Sequence, residues 1–201
     1  MPRLAILAYG SLINDPGDEL NAVIDNVISR VTTPFKVEFA RSSRTRGGAP
    51  TLVPVESGGA HVEGSLLVLH TDVLIEEARS KLWRRETGRV GTGHEYVTPD
   101  PVGQNSVVVK EHNDLAGIDL TLSTWICSNI TPLTADKLAE LAISSATTES
   151  GIQGRDGISY LINTTRAGIH TPLTDAYREA ILARTNTANL KDARQMLVAG
   201  I

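Results

Sequence analysis

Hydrophobic residues near the start of the chain predict a strand followed by a helix. Leu4 to Tyr9 is a continuous apolar run that ends at Gly10-Ser11, the pattern of a strand that is buried on both faces and stops at a turn. Asp15 offers an N-cap, and the proline after it suits a first helical residue. Apolar residues then recur at helical spacing up to Val31. We therefore predict an amphipathic helix over residues 16–31.

The middle of the chain has short strand-like segments separated by glycine-rich turns. These segments occupy residues 35–39, 51–55 and 62–70. They indicate an antiparallel meander. Thr71 is a cap for a predicted helix over residues 72–86, and the helix has an apolar stripe that ends on a carboxylate. The stripe consists of Leu74, Ala78, Leu82 and Glu86.

The later part of the chain changes from strands to helices. Two more strands are predicted over residues 107–109 and 120–127. Helices are predicted over 135–149, 157–167, 174–184 and 188–199, with Gly168 ending the second of them. Strands that precede helices in this way favour an α+β fold over an alternating parallel sheet. We expect a single domain over residues 1–201, with a sheet-forming part over 1–129 and a helical C-terminal part over 130–201.

Composition and charge narrow the classes of function. The 201 residues include 19 Lys and Arg against 23 Asp and Glu, and the net charge of −4 argues against nucleic acid as a partner. No apolar run approaches the roughly 18 residues that a membrane-spanning helix needs. The single cysteine, Cys127, excludes an intrachain disulfide and fits a reducing compartment. We expect a soluble cytoplasmic protein with no membrane or nucleic-acid partner.

Metal chemistry is not indicated by the sequence. The five histidines never fall at i, i+3 or i+4 spacing, and neither a Cys-x-x-Cys nor a His-Glu-x-x-His motif is present. We therefore expect no metal site.

Arg41 to Gly48 places three arginines in one predicted loop. Planar guanidinium groups can hold a carboxylate or a phosphate, so this loop is a candidate for contacting an acidic small molecule. The alternative is a solvated basic turn.

The turn Tyr9-Gly10-Ser11-Leu12 lies at the carboxyl end of the predicted buried strand. Glycine lets the backbone approach a ligand and aim successive N–H groups at a carboxylate or a developing oxyanion. The alternative is a tight connection between strand and helix.

Glu86 continues an apolar helical stripe and so faces partial desolvation. Desolvation disfavours the charged carboxylate, which would poise Glu86 as a general base near neutral pH. The neighbouring Arg84 and Arg85 act in the opposite direction, and the alternative is a simple ion pair at the helix end.

Two motifs, in order, resemble the γ-glutamylcyclotransferase-like superfamily. LAYGSL at residues 7–12 resembles its Tyr-Gly-Ser substrate loop, and LWRRETG at 82–88 resembles the segment that bears its catalytic glutamate. Residues 39–69 are similar to the Ser-x-x-x-Arg-Gly loop, the Thr-Leu strand and the Val-x-Gly strand of the ChaC branch, which acts on glutathione. Residues 150–173 resemble that branch's late Gly-x-x-Tyr-Leu helix. The resemblance spans nearly the whole chain.

This resemblance implies a small mixed β-barrel with flanking helices. It also implies an enzyme of glutathione metabolism, of the transferase or lyase type, that converts a small γ-glutamyl amine or peptide to 5-oxoproline and free amine without a cofactor. Carried over by position, Tyr9, Gly10, Ser11 and Leu12 would bind the γ-glutamyl moiety, and Glu86 would be the general acid/base.

Two further positions follow from the resemblance. Arg46 matches the arginine of the ChaC-like loop and would contact the substrate. The Gly-Tyr that usually follows the glutamate is absent, and the nearest tyrosine, Tyr96, is the candidate for its place. This departure motivates an alternative function, a non-catalytic small-molecule binding or regulatory protein on the same fold.

Overall fold

Each of the two units of the molecule is built from two stretches of the chain. Unit 1 comprises residues 2–34 and Val62–Cys127, and unit 2 comprises Phe35–His61 and residues 128–200. The structure, a computed structural model, describes residues 2–200. Its mixture of helices and strands confirms the α+β prediction, while the assignment of residues 1–201 to one domain stays a prediction. Within residues 2–200, every helix is too short or too polar to cross a membrane.

Unit 1 contains a five-stranded mixed sheet with β1 at its centre. The strands are β1 (Leu4–Ala8), β2 (Ile24–Thr32), β5 (Glu63–Leu69), β6 (Val108–Leu115) and β7 (Ile118–Trp125), in the order β2-β5-β1-β7-β6. β1 pairs antiparallel with β5 and parallel with β7. All five residues of β1 are buried, which confirms the prediction from its continuous apolar run.

Three helices accompany this sheet: α1 (Ser11–Asn14), α2 (Asp18–Asn21) and α3 (Ile75–Thr87). α3 buries Ala78 and Leu82 completely, in one cluster with Ile6 of β1 and Leu122 of β7. Burying a leucine contributes about 1.5–3 kcal/mol, so this contact fixes α3 on the sheet. The prediction that Thr71 caps this helix is wrong. α3 begins at Ile75, and the residue at its N-cap position is Leu74, whose side chain makes no capping hydrogen bond.

The predicted helix over residues 16–31 is wrong. Over this region the chain forms the short helix α2 and then strand β2, and α1 lies before it. Asp15 is not an N-cap but the C-cap of α1, and its backbone N–H donates to the carbonyl of Ser11. The residues that suggested a helix are mostly valine and isoleucine, whose branched side chains favour strands over helices.

Two bulges in β2 explain why its sequence imitates a helix. The register shifts between Ile24 and Asn26 and again between Ser29 and Val31. Each shift adds one residue to β2, so apolar residues three positions apart share a face of the sheet. Ile28 and Val31 do so, and the period of two that identifies a strand is lost.

The predicted meander is also wrong in its pairing. β5 pairs with β1 and β2, whereas β3 (Lys36–Ser43) and β4 (Ala49–Val55) form a separate two-stranded ribbon. The five-stranded sheet is open, with β2 and β6 at its edges, so a closed barrel is not confirmed over residues 2–200.

Unit 2 combines the β3-β4 ribbon, which turns through a short 3-10 helix at Arg44–Arg46, with five helices along its described residues. The helices are α4 (Ala135–Ala146), α5 (Glu149–Ile152), α6 (Gly157–Arg166), α7 (Thr174–Thr185) and α8 (Leu190–Val198). The elements described after residue 130 are therefore all helices, while the division of the chain at residue 130 stays a prediction. Thr134, Asp156 and Asn189 cap α4, α6 and α8 with their side chains. Gly168 follows α6 with a positive φ of 78°, as predicted.

Candidate active site

The predicted substrate loop lies directly after the central strand. Gly10 follows β1 at φ 61° and ψ −129°, a conformation that residues with a Cβ rarely adopt. Ser11 and Leu12 then open α1, and Leu12 is buried in the cluster beneath α3. The first N–H groups of any α-helix have no acceptor within the helix. The conformation of Gly10 thus requires glycine, and the turn places Ser11 at the start of α1, close to the end of β1.

We expect Gly10→Ala to lower the free energy of unfolding by about 1–3 kcal/mol, because the Cβ is strained at this φ and ψ. Urea denaturation of the variant measures the change. Gly103→Ala is a matched control in unit 1, because Gly103 does not have a positive φ and its Cβ would make only an ordinary contact with Ser106. An equal loss of stability in the two variants would contradict the conformational explanation.

Arg85 joins the predicted loop to Glu86. Its Nη1 donates to Glu86 Oε1 at 2.7 Å, and its Nη2 donates to the Asp15 carbonyl at 2.6 Å and to Ser11 Oγ at 3.4 Å. The Arg85 side chain is 13% exposed and the Glu86 side chain 25%, so Glu86 stays open to a small molecule. One guanidinium thus bridges two motifs that are more than seventy residues apart in sequence.

Arg84 makes a second link between α3 and the segment after β1. Its Nε donates to Glu19 Oε2 at 2.7 Å, and its Nη1 donates to the carbonyl of His94 at 2.6 Å. Glu19 Oε1 also accepts from the N–H of Gly91 at 2.6 Å. Burial alone would raise the pKa of Glu19, but these hydrogen bonds and the charge of Arg84 outweigh it and lower that pKa. The two arginines together fix the end of α3 against α1 and α2.

Tyr96 supports the segment that follows α3. Its backbone N–H donates to Ser80 Oγ at 3.0 Å, and its hydroxyl accepts from the N–H of Val109 at 3.0 Å. Its ring lies 6.4 Å from the ring of Trp83. Within the described residues its hydrogen bonds do not involve Glu86. Its assignment to substrate binding therefore stays a prediction.

Arg46 belongs to unit 2. Its guanidinium lies over the ring of Tyr160 with 4.9 Å between Cζ and the ring centroid. The loop needs glycine after it, because Gly47 has φ 62° and a Cβ there would lie 2.6 Å from Thr148 Oγ1. An arginine stacked on an aromatic ring can still direct its N–H donors at an anion. Substrate contact by Arg46 stays a prediction.

A polar pair on the sheet escaped the sequence analysis. His112 on β6 and Ser123 on β7 are joined by a 2.8 Å hydrogen bond between Nε2 and Oγ, and Ser123 is buried. Thr121, which pairs with His112 across the two strands, has a buried hydroxyl without a hydrogen-bond partner in the described residues. Thr121 and Ser123 lie two residues apart on β7 and so share a face of the sheet, but no sequence motif links them to His112.

Burial lowers the pKa of His112 below its ordinary value of 6.5. The unfolded chain then binds this proton more tightly than the folded one, so stability falls as pH drops below 6.5. We expect the thermal unfolding midpoint to fall between pH 7.5 and pH 5.5, and to fall less in His112→Gln. His170→Gln, at an exposed position, should keep the wild-type pH dependence. An unchanged pH dependence in His112→Gln would contradict this assignment.

Within residues 2–200, no three His, Cys, Asp or Glu side chains lie close enough together to hold a metal ion.

Comparison with known proteins adds no family: no family model matches the chain, and no curated protein matches it.

Proposed function

We propose that this protein is a γ-glutamylcyclotransferase-like enzyme that releases 5-oxoproline from a γ-glutamyl amine or peptide. One observation carries the proposal. The Tyr9–Leu12 turn and Glu86, the two segments that resemble the family's substrate loop and catalytic segment, are joined through the guanidinium of Arg85. Glutathione is the leading substrate under the resemblance to the ChaC branch, and a small mixed β-barrel is the fold that the same resemblance implies.

The reaction is an intramolecular aminolysis. The α-amine of the γ-glutamyl group attacks its own γ-carbonyl, the new C–N bond closes a five-membered ring, and the bond to the leaving nitrogen breaks. The leaving nitrogen takes up the proton that the attacking amine loses, so water is not consumed. Because the substrate supplies the nucleophile, the protein needs only to orient it, move a proton and stabilise the oxyanion.

Glu86 is the group that would move the proton. An α-amine has a pKa of about 7.7–8.0 and is largely protonated at neutral pH, so a base must act before ring closure. Glu86 would accept that proton and return one to the departing nitrogen. The N–H groups of the Tyr9–Leu12 turn would hold the substrate carboxylate or the tetrahedral oxyanion.

Arg85 would act through Glu86 rather than on the substrate. Its hydrogen bond to Oε1 leaves Oε2 of Glu86 for a ligand, and its bonds to the Asp15 carbonyl and to Ser11 fix the guanidinium relative to the loop. We therefore assign Arg85 as a positioning residue for the general base.

The alternative is a non-catalytic binding or regulatory protein on the same fold. The ion pair between Glu86 and Arg85 favours it, because such a pair at the end of a helix has a structural role that needs no substrate. The position of Tyr96, whose hydroxyl is bonded to the backbone of β6, favours it as well.

A panel of γ-glutamyl compounds with different leaving groups separates the two functions. The purified protein is incubated with glutathione, γ-glutamyl amino acids and γ-glutamyl alkylamines, and 5-oxoproline is quantified by mass spectrometry. The enzyme proposal predicts product from at least one compound. Thermal stabilisation by a compound, with no product from any member of the panel, would favour the binding protein.

A further inference from the structure

A cleft runs along α6 and α8 of unit 2 and has two adjoining parts. One part has a volume of about 490 Å3 and the other about 350 Å3, and both are lined by Ile162, Lys191 and Arg194. Each volume lies within the roughly 300–1,000 Å3 of ordinary small-molecule sites, and both parts are largely open to solvent. The cleft plays no part in the proposed reaction.

The two parts of the cleft differ in chemistry. Besides Gln195, the larger part adds the apolar Val198 and Ala199 at the C-terminal end of α8. The smaller part adds polar side chains of α6, namely Ser159, Asn163 and Arg166. A ligand that fills both parts must therefore have an apolar end and a polar end.

The cations of the cleft fix the charge of the polar end. Arg194 is neutralised, because its Nε donates to the buried carboxylate of Asp156 at 3.0 Å and its Nη2 donates to the carbonyl of Gly151. Lys191 and Arg166 are exposed, and within the described residues neither forms an ion pair or a hydrogen bond through its side chain. Two uncompensated positive charges therefore line the polar end.

We propose that this cleft binds an amphipathic anion, a molecule with a carboxylate or phosphate head and a short hydrocarbon tail. The head lies between Lys191 and Arg166, where the side-chain amide of Asn163 adds hydrogen-bond donors. The tail lies against Ile162, Val198 and Ala199. This binding does not involve Glu86, and we expect it whether or not the protein has the proposed cyclotransferase activity.

Titration of the full-length protein followed by amide NMR tests the site. The probes are decanoate and decyl phosphate, both used at concentrations below those at which they form micelles. Decanol, which has the tail but no charge, and inorganic phosphate, which has the charge but no tail, are the controls. We expect decanoate and decyl phosphate to shift the amide signals of α6 and α8, and added salt to weaken their binding because it screens exposed charges. The relative affinity of the carboxylate and the phosphate identifies the preferred head.

The double variant Lys191→Gln, Arg166→Gln should raise the Kd for decanoate about tenfold, which is within the range of two exposed charge contacts. Lys36→Gln removes another exposed lysine without an ion pair in the described residues and should leave the Kd unchanged. Both variants are compared by their amide spectra to verify folding. Equal binding of decanol and decanoate, equal binding of inorganic phosphate and decyl phosphate, or an unchanged Kd in the double variant would each overturn the proposal.

Discussion

Glu86→Gln is expected to reduce the rate of 5-oxoproline release by about 10²–10⁴-fold, the usual contribution of a general acid/base. Glutamine keeps the size of the side chain and an oxygen that can accept from Arg85, but it cannot accept the proton of the substrate amine. The fold should remain, because glutamine has nearly the same shape and can keep the hydrogen bond from Arg85. Initial rates with the best substrate of the γ-glutamyl panel measure the loss, and circular dichroism verifies the fold.

Glu77→Gln is the matched control for this experiment. Glu77 lies on the same helix and also pairs with a neighbouring cation, Lys81, at 3.3 Å. Its removal changes the net charge by the same amount but leaves the end of α3 intact. It should therefore turn over at close to the wild-type rate. If Glu86→Gln also did so, Glu86 would not be the general base.

Arg85→Met is expected to lower kcat by about 100-fold while KM changes much less, because misplacing a catalytic group by about 1 Å can cost this much. The methionine keeps much of the apolar stem but removes the bonds to Glu86, Asp15 and Ser11. Steady-state kinetics with the same substrate separate kcat from KM. A variant with unchanged kcat and a raised KM would contradict the positioning role and indicate direct substrate contact.

Arg85→Lys should recover part of the lost kcat. Lysine retains the positive charge beside Glu86, but its single ammonium cannot span Glu86, Ser11 and the Asp15 carbonyl as a guanidinium does. Arg79→Met on the same helix is the control, because Arg79 binds Glu76 and Glu111 on the surface and not Glu86. The positioning role of Arg85 would be contradicted if Arg85→Lys were as slow as Arg85→Met. It would also be contradicted if the control Arg79→Met were as slow as the Arg85 variants.

The elements that the sequence predicted correctly are those whose local pattern agrees with their packing. β1 has a continuous apolar run and lies in the middle of the sheet, buried along its whole length. α6 has an apolar stripe, an aspartate cap at Asp156 and a glycine stop at Gly168. In β2 the sequence pattern and the structure conflict. A bulge lets Ile28 and Val31, three residues apart, share a face of the sheet, where a regular strand would place residues two apart.

The site was predictable only in part, for a similar reason. The resemblance of the motifs drew attention to the Tyr9–Leu12 turn and Glu86. The role of Arg85 depends on a side chain that reaches from α3 to the backbone of Asp15, and no periodicity reveals such a contact. The pairing of His112 with Ser123 depends on the register of β6 and β7, which short strands of mixed polarity do not specify.

Blocking the substrate's own amine tests the central claim most directly. The purified protein is given glutathione and, separately, glutathione acetylated on the α-amine of its γ-glutamyl residue, and both products of cleavage are quantified. The proposed reaction predicts 5-oxoproline and the freed dipeptide in equal amounts from glutathione, and no cleavage of the acetylated form. Free glutamate in place of 5-oxoproline, or cleavage of the acetylated form, would contradict intramolecular attack. If glutathione itself is not cleaved, the best substrate of the panel is compared with its own N-acetyl-γ-glutamyl form in the same way. The enzyme proposal would be contradicted if none of the unblocked compounds were cleaved.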